Sequence, residues 1–176
     1  PDLVKKISSI AGAGPEMWIG VQVGLETGSD RLALMHMPNK TLPLKIGADG
    51  SWQEIVMEGL KAMNEGYWRP AFTVQVGQPA ETPEDNWETV AMVNRMGEME
   101  VKGQPAEFSV TPMQNVPLGL IKSKKLSSKL LDEAQLAVYY ACYRHLFRMI
   151  MRDSIRDGRG NPIAKIVMAS ALNLGG

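Results

Sequence analysis

Ile19-Gly20-Val21-Gln22-Val23-Gly24-Leu25-Glu26-Thr27-Gly28-Ser29-Asp30-Arg31 is the stretch whose reading decides the fold. Trp18 to Leu25 has strand character, stops at a carboxylate and a glycine turn, and gives way to a helix over Asp30–Met35 that Ser29 can cap. Ala71-Phe72-Thr73-Val74-Gln75-Val76-Gly77-Gln78-Pro79-Ala80-Glu81-Thr82 repeats that grammar. A strand, a Gly-rich polar turn and a helix, occurring twice, predict an α/β fold with parallel strands joined by crossovers. In parallel barrels built this way the functional residues sit at the carboxyl ends of the strands.

Outward from these units, Asp2 to Ile10 has helical spacing and is stopped by Gly12 and Gly14. Met37 to Asp49, broken by Pro38, Pro43 and Gly47, reads as loop. Ser51-Trp52-Gln53-Glu54 has capping-box spacing, and the helix it opens closes at Gly66. Pro70 precedes the second strand, Phe72–Val76. Thr82 caps a helix with Pro83 at its first position and acids in its first turn, and Trp87, Val90, Val93 and Met96 continue it. Glu107–Thr111 is a third, shorter strand running into a proline-punctuated loop, Pro112–Gly119. A long helix follows from Asp132 to about Arg156 with Tyr139, Tyr143, Leu146, Phe147 and Ile150 on one face. Arg144, Arg148, Arg152 and Arg156 form a stripe that reads as solvated or interdomain. Asn161-Pro162 opens a last apolar helix, Ile163–Leu172. Three strands do not close a barrel, so the sheet is either part of one or an open sheet covered by the late helices. The division expected is 1–120 for the sheet region and 121–176 for a helical C-terminal region.

The 176 residues suffice for one domain with a real core, at 44% hydrophobic and 22% charged residues. A formal net charge of zero gives no steer toward nucleic acid or an anionic membrane. Lys122, Lys124, Lys125 and Lys129 form a local basic cluster that reads as a solvated loop and helix start. The single cysteine, Cys142, excludes an internal disulfide and a Cys-rich metal site, and reads as a buried structural thiol. Low cysteine usage, with no signal peptide and no bilayer-spanning apolar run, makes the cytoplasm the expected compartment. The chain begins at Pro1 inside a helical pattern, which suggests a piece of something larger.

Glu26 ends the first strand where folding needs no carboxylate; it reads as an acceptor for ribose hydroxyls or an ammonium group, or as a turn residue satisfied by backbone N–H groups. Thr73 and Gln75 share one face of the second strand, as ligand groups or as core hydrogen bonders. Gly77 lets backbone approach a ligand or simply turns the chain. His36 reads as a loop residue, and His145 has no second histidine nearby. Walker, GxSxG and HExxH patterns are absent.

Gly24-Leu25-Glu26-Thr27-Gly28-Ser29-Asp30-Arg31, followed by Met35, Met37 and Lys40, resembles a segment of radical S-adenosylmethionine enzymes. Their later G-x-P-G-E-T turn is similar to Gly77-Gln78-Pro79-Ala80-Glu81-Thr82, with Ala80 in place of a glycine. The resemblance covers roughly residues 17–96 and implies the carboxyl-terminal half of a partial (β/α) barrel, with about three parallel strands and covering helices. It implies reductive cleavage of S-adenosylmethionine to a 5′-deoxyadenosyl radical, with cobalamin as a further cofactor in some members. By position, Glu26 and Ser29 fall in the cofactor-contacting motif, Lys40 near the cofactor's carboxylate, Thr73 and Gln75 where polar strand residues reach it, and Gly77 beside the adenosine. The CxxxCxxC loop that holds the family's [4Fe–4S] cluster is absent, as is a cobalamin-type DxHxxG motif. The chain is therefore expected to be an inactive piece that binds no cluster by itself and that self-associates through the unpaired edge of its first strand. The other readings are a non-catalytic α/β module binding a nucleotide or a partner, and a small lyase or hydrolase with Glu26 as base.

Overall fold

The computed structural model describes residues 2–46, 50–115 and 131–156, with side chains as far as Ser154. The basic cluster at Lys122–Lys129, the segment 116–119, the division near residue 120 and the last helix, Ile163–Leu172, lie outside the described residues. In chain order the elements are α1 (Asp2–Ala11), β1 (Ile19–Glu26), α2 (Asp30–His36), α3 (Pro38–Thr41), a 3₁₀ turn (Leu42–Leu44), α4 (Trp52–Glu65), β2 (Trp68–Val76), α5 (Pro83–Glu98), β3 (Glu100–Val101), β4 (Gln104–Pro105), β5 (Ser109–Gln114) and α6 (Glu133–Arg156).

The main sheet runs in the order β1-β2-β5, all parallel, with Val23 beside Phe72 and Phe72 beside Val110. No barrel is closed among the described residues. One face carries Leu25, Phe72, Val74, Val76 and Val110, which join Val56 and Leu60 of α4, Met92, Val93 and Met96 of α5 and Val138 of α6 in a single core. Burying each such side chain contributes about 1.5–3 kcal/mol. The alternate residues Gln22, Ala71, Thr73, Gln75, Thr111 and Met113 are wholly or partly exposed on the other face.

Several boundaries differ from the sequence reading. Strand β2 begins at Trp68, so Pro70 lies inside a central strand beside Val21. The main-chain groups of Val76 face β5, as the Asn115 N–H bond to its carbonyl shows, so by alternation those of Pro70 do too. The β5 ladder starts one residue later, at Ala71 and Ser109, so no hydrogen bond is missing. The third strand is shifted to Ser109–Gln114, and a two-residue hairpin of β3 and β4 precedes it. The expected loop at Met37–Asp49 contains α3 and the 3₁₀ turn. On α6 the buried side is Ala134, Val138, Ala141, Cys142 and Met151, while Tyr143 and Ile150 are exposed. Small residues let α6 pack close to the core, while the bulky stripe is divided: Tyr139 packs against the core, and Leu146 and Phe147 are half-buried. Arg152 is half-buried and paired: it meets Glu107 at 2.9 Å, beside Arg69, which pairs with Glu107 at 2.9 Å and with Asp153 at 2.6 Å.

The turn Thr27-Gly28-Ser29-Asp30 ties these layers together. Trp52 Nε1 donates to Thr27 O at 2.8 Å, Gln53 to Gly28 O at 3.0 Å, and Trp52 N–H to Asp30 Oδ1 at 2.7 Å. Gly28 N–H donates to Thr89 Oγ1 at 2.8 Å, and a Cβ on Gly28 would stand 2.6 Å from Thr89 Cα. Gly28→Ala is therefore expected to lower stability by roughly 1–3 kcal/mol, read as a reduced urea midpoint at unchanged slope.

His145 of α6 stacks on Phe108, with ring centroids 3.9 Å apart, and its Nε2 lies 3.0 Å from Phe108 O. Burial pushes its pKa down, the hydrogen bond to Phe108 O opposes this, and the positive charges of Arg152 and Arg148 push further down. Because the folded value lies below the unfolded one, stability is full above about pH 6.5 and declines as the pH falls from there toward the folded value. Urea midpoints measured from pH 7.5 to 5.5 should fall, and His145→Phe should flatten that dependence.

Candidate functional site

The carboxyl ends of β1 and β2 open onto a cleft of about 440 Å³ lined by Glu26, His36, Lys40, Gln75, Gln78 and Asn115, among others. Its geometry begins with a break in β1. Gly24 pairs with Thr73 and Glu26 with Val74, so Leu25 is an extra residue in a bulge. Thr27 N–H then bonds Leu25 O at 2.9 Å, a three-residue turn whose centre, Glu26, has φ +68°. This region disfavours a side chain, and such strain clusters at functional sites.

The turn directs the Glu26 carboxylate back over Gly24, where a Cβ would collide with it. Gln75 Nε2 donates to Glu26 Oε2, and Gln78 Nε2 donates to Glu26 O at 3.2 Å. Lys40, on the short helix α3, places Nζ 2.7 Å from Gly24 O and 3.9 Å from Glu26 Oε1. One carboxylate and one ammonium thus stand side by side among neutral amides.

Of the residues singled out from sequence, Glu26, Lys40 and Gln75 meet in this cleft. Thr73 lies on the same face as Gln75, two residues toward the start of β2, and does not line the cleft. Ser29 is fully buried; its hydroxyl donates to Asp85 Oδ1 at 2.6 Å and caps α2. Gly77, at φ +79°, donates its N–H to Glu81 Oε1 at 2.9 Å, which is turn chemistry. Ala80, at the place of the resembled glycine, has φ +59°, the conformation glycine favours.

Sequence reasoning missed Gln78, Asn115 and the part played by His36. The His36 ring lies 2.9 Å from Pro79 O and joins α2 to the turn after β2. Gln78 lies inside the Gly77–Thr82 turn without being singled out, nothing local marks Asn115, and both reach the cleft because β1, β2 and β5 are neighbours. Glu81 does not face a ligand: it also accepts from Gln78 N–H at 3.0 Å, Asn86 at 2.9 Å and Gln135 of α6 at 2.9 Å.

Among the described residues there is no group of three His, Cys, Asp or Glu side chains able to hold a metal ion. Cys142 is buried in α6, and burial pushes its thiol up to about 12, the reverse of what a cluster thiolate needs. No described helix is long and apolar enough to cross a membrane. Protein-family models and curated proteins were both compared with the sequence, and neither gives a match.

Glu26→Gly should separate site from scaffold. It removes the carboxylate and relieves a left-handed backbone that costs roughly 1–2 kcal/mol for a residue with a side chain. The lost Gln75 bond offsets part of this gain. Thermal unfolding should show a Tm equal to or above that of the parent, whereas a fall of several degrees would mean that Glu26 is structural.

Proposed function

We propose that this cleft binds S-adenosylmethionine and that the chain supplies the ligand-holding side of a radical S-adenosylmethionine oxidoreductase. The observation that carries the reading is the Glu26–Lys40 pair, 3.9 Å apart at the carboxyl ends of parallel strands. A ligand with a zwitterionic amino-acid end matches it, ammonium toward Glu26 and carboxylate toward Lys40. The amides of Gln75, Gln78 and Asn115 offer both donors and acceptors to hydroxyls or a base. The resemblance of the Gly24–Lys40 and Gly77–Thr82 segments to that family supports the same ligand.

The [4Fe–4S] cluster of such enzymes does not fit this chain. One buried thiol stands where three thiolates are needed, so no reductive step is assigned to these residues. Their share is to bind and orient the ligand, with the cluster supplied from outside the chain. That same lack of thiolates favours a second reading, an α/β module that binds an adenosine-containing ligand without redox chemistry.

Calorimetric titration of the chain tests both. S-adenosylmethionine should bind, and Glu26→Gln and Lys40→Met should each weaken it about 10- to 100-fold, the loss of one charge-assisted hydrogen bond. Adenosine binding as tightly as S-adenosylmethionine would select the nucleotide-module reading. Absence of heat with either ligand, or affinity indifferent to both substitutions, would refute the site.

A further inference from the structure

Among the described residues, strand β1 is an edge of the sheet, and its outward side has no strand paired to it. Ile19 N–H bonds Tyr67 O at 2.9 Å, so the main-chain groups of residues 19, 21 and 23 face β2. Those of Gly20, Gln22 and Gly24 therefore face outward, and Lys40 taking Gly24 O at 2.7 Å from that side agrees. No other described side chain bonds these outward groups. From Ile19 to Leu25 there is neither a charge nor a proline, the usual guards of an edge strand. The opposite edge is guarded: Asn115 N–H faces β2, so the outward positions of β5 are 110, 112 and 114, and Pro112 has no N–H to offer.

We propose that β1 pairs with β1 of a second copy of this chain, antiparallel, about a two-fold axis at Gln22. The sequence of the edge is its own complement, because Gly20-Val21-Gln22-Val23-Gly24 reads the same in both directions. An antiparallel pair centred on Gln22 sets Gln22 opposite Gln22, Gly20 opposite Gly24 and Val21 opposite Val23. All the outward main-chain groups then fall in hydrogen-bonded pairs, about six bonds in all. Directly opposed residues share a face, so the valines of both copies lie on the helix-covered side and the glutamines on the open side.

The helix-covered side also has an occupant to receive. An apolar groove of about 520 Å³ runs beside the edge, lined by Val23, Leu44, Trp52, Ile55 and Met63. Leu44 is 46% exposed and Leu42 69% exposed, the pattern of a surface awaiting cover. The two-fold sets one groove against the other across the new ladder and makes a continuous six-stranded sheet. This interface is isologous and closed, so pairing stops at the dimer.

Sedimentation equilibrium reads the mass directly, and twice the 19.3 kDa of the chain is expected. Gln22→Lys places like charges opposite each other on the exposed face and should return the monomer with an unchanged circular dichroism spectrum. Gln22→Cys tests the register: opposed Cα atoms about 5.5 Å apart are within disulfide reach, so mild oxidation should link two chains. Thr111→Cys, exposed on the same sheet face but on β5, should not link. A chain that stays monomeric up to roughly 1 mM would overturn the proposal. So would a dimer that survives Gln22→Lys, or a link that forms in the Thr111→Cys variant but not in the Gln22→Cys variant. Titration of the Gln22→Lys monomer with S-adenosylmethionine keeps this result separate from that of the ligand site.

Discussion

The carboxylate of Asp85 joins the two strand–turn–helix units, and the site depends on that junction. It accepts from Ser29 Oγ at 2.6 Å, from Arg31, and from Thr82 N–H at 2.8 Å and Oγ1 at 3.0 Å. One buried acid thus closes the N-terminus of α5 and grips that of α2. Burial alone would raise its pKa, but the bonds from Arg31, Ser29 and Thr82 outweigh this and hold it at about 2. Arg31 also donates to Ala80 O at 2.7 Å, so the left-handed turn after β2 is tied to the helix that follows β1. Asp85 is buried and Arg31 half exposed, so losing the arginine would leave a buried carboxylate short of a partner.

With the flanking turns pinned in this way, the chain can hold an unfavourable conformation between them. Leu25 is locked in the core and Thr27 is buried, so Glu26 has little freedom to leave φ +68°. A flexible loop would relax the residue into an ordinary conformation and swing its carboxylate away from Gly24. The strain, roughly 1–2 kcal/mol, is small beside the several core side chains that enforce it. Glu26 is thereby held toward Gln75 and Lys40, so a ligand in this cleft would meet a carboxylate already in place, at a lower cost of binding.

The two units that make the fold legible do so through local chemistry: an apolar strand, a glycine turn, a capping residue. Those signals depend on neighbours in sequence, and so does the Ser51 capping box, which the structure contains in full. The failures all require knowledge of neighbours in space. Pro70 sits in a central strand because the adjacent ladder begins one residue later, which no periodicity records. The face that α6 buries is only half legible: Cys142 reads as a buried thiol and is one, but nothing local says that Ala134 and Ala141 share its side, because close helix packing selects them. The same division runs through the site. Glu26 and Lys40 are found through a motif and Gln75 through strand alternation, whereas Gln78, inside the second motif segment, and Asn115 are shown to reach the cleft only by the sheet order. Ser29 belongs to the same motif as Glu26, yet it points into the protein because Asp85, far along the chain, claims its hydroxyl.

Gly24 is where the cleft and the open edge meet. Its missing side chain leaves room for the Glu26 carboxylate, its carbonyl accepts the Lys40 ammonium, and its N–H faces the free side of β1. A strand laid along that edge would bring an N–H to the carbonyl that Lys40 now occupies. A carbonyl oxygen has two lone pairs, so both donors can be accommodated. A strand paired with β1 and the Lys40 ammonium would thus meet at a single main-chain oxygen. Gly24 O, on the outward side of the strand, and Glu26, just beyond the bulge, are two residues apart, so a strand paired with β1 and a ligand on Glu26 would be close neighbours.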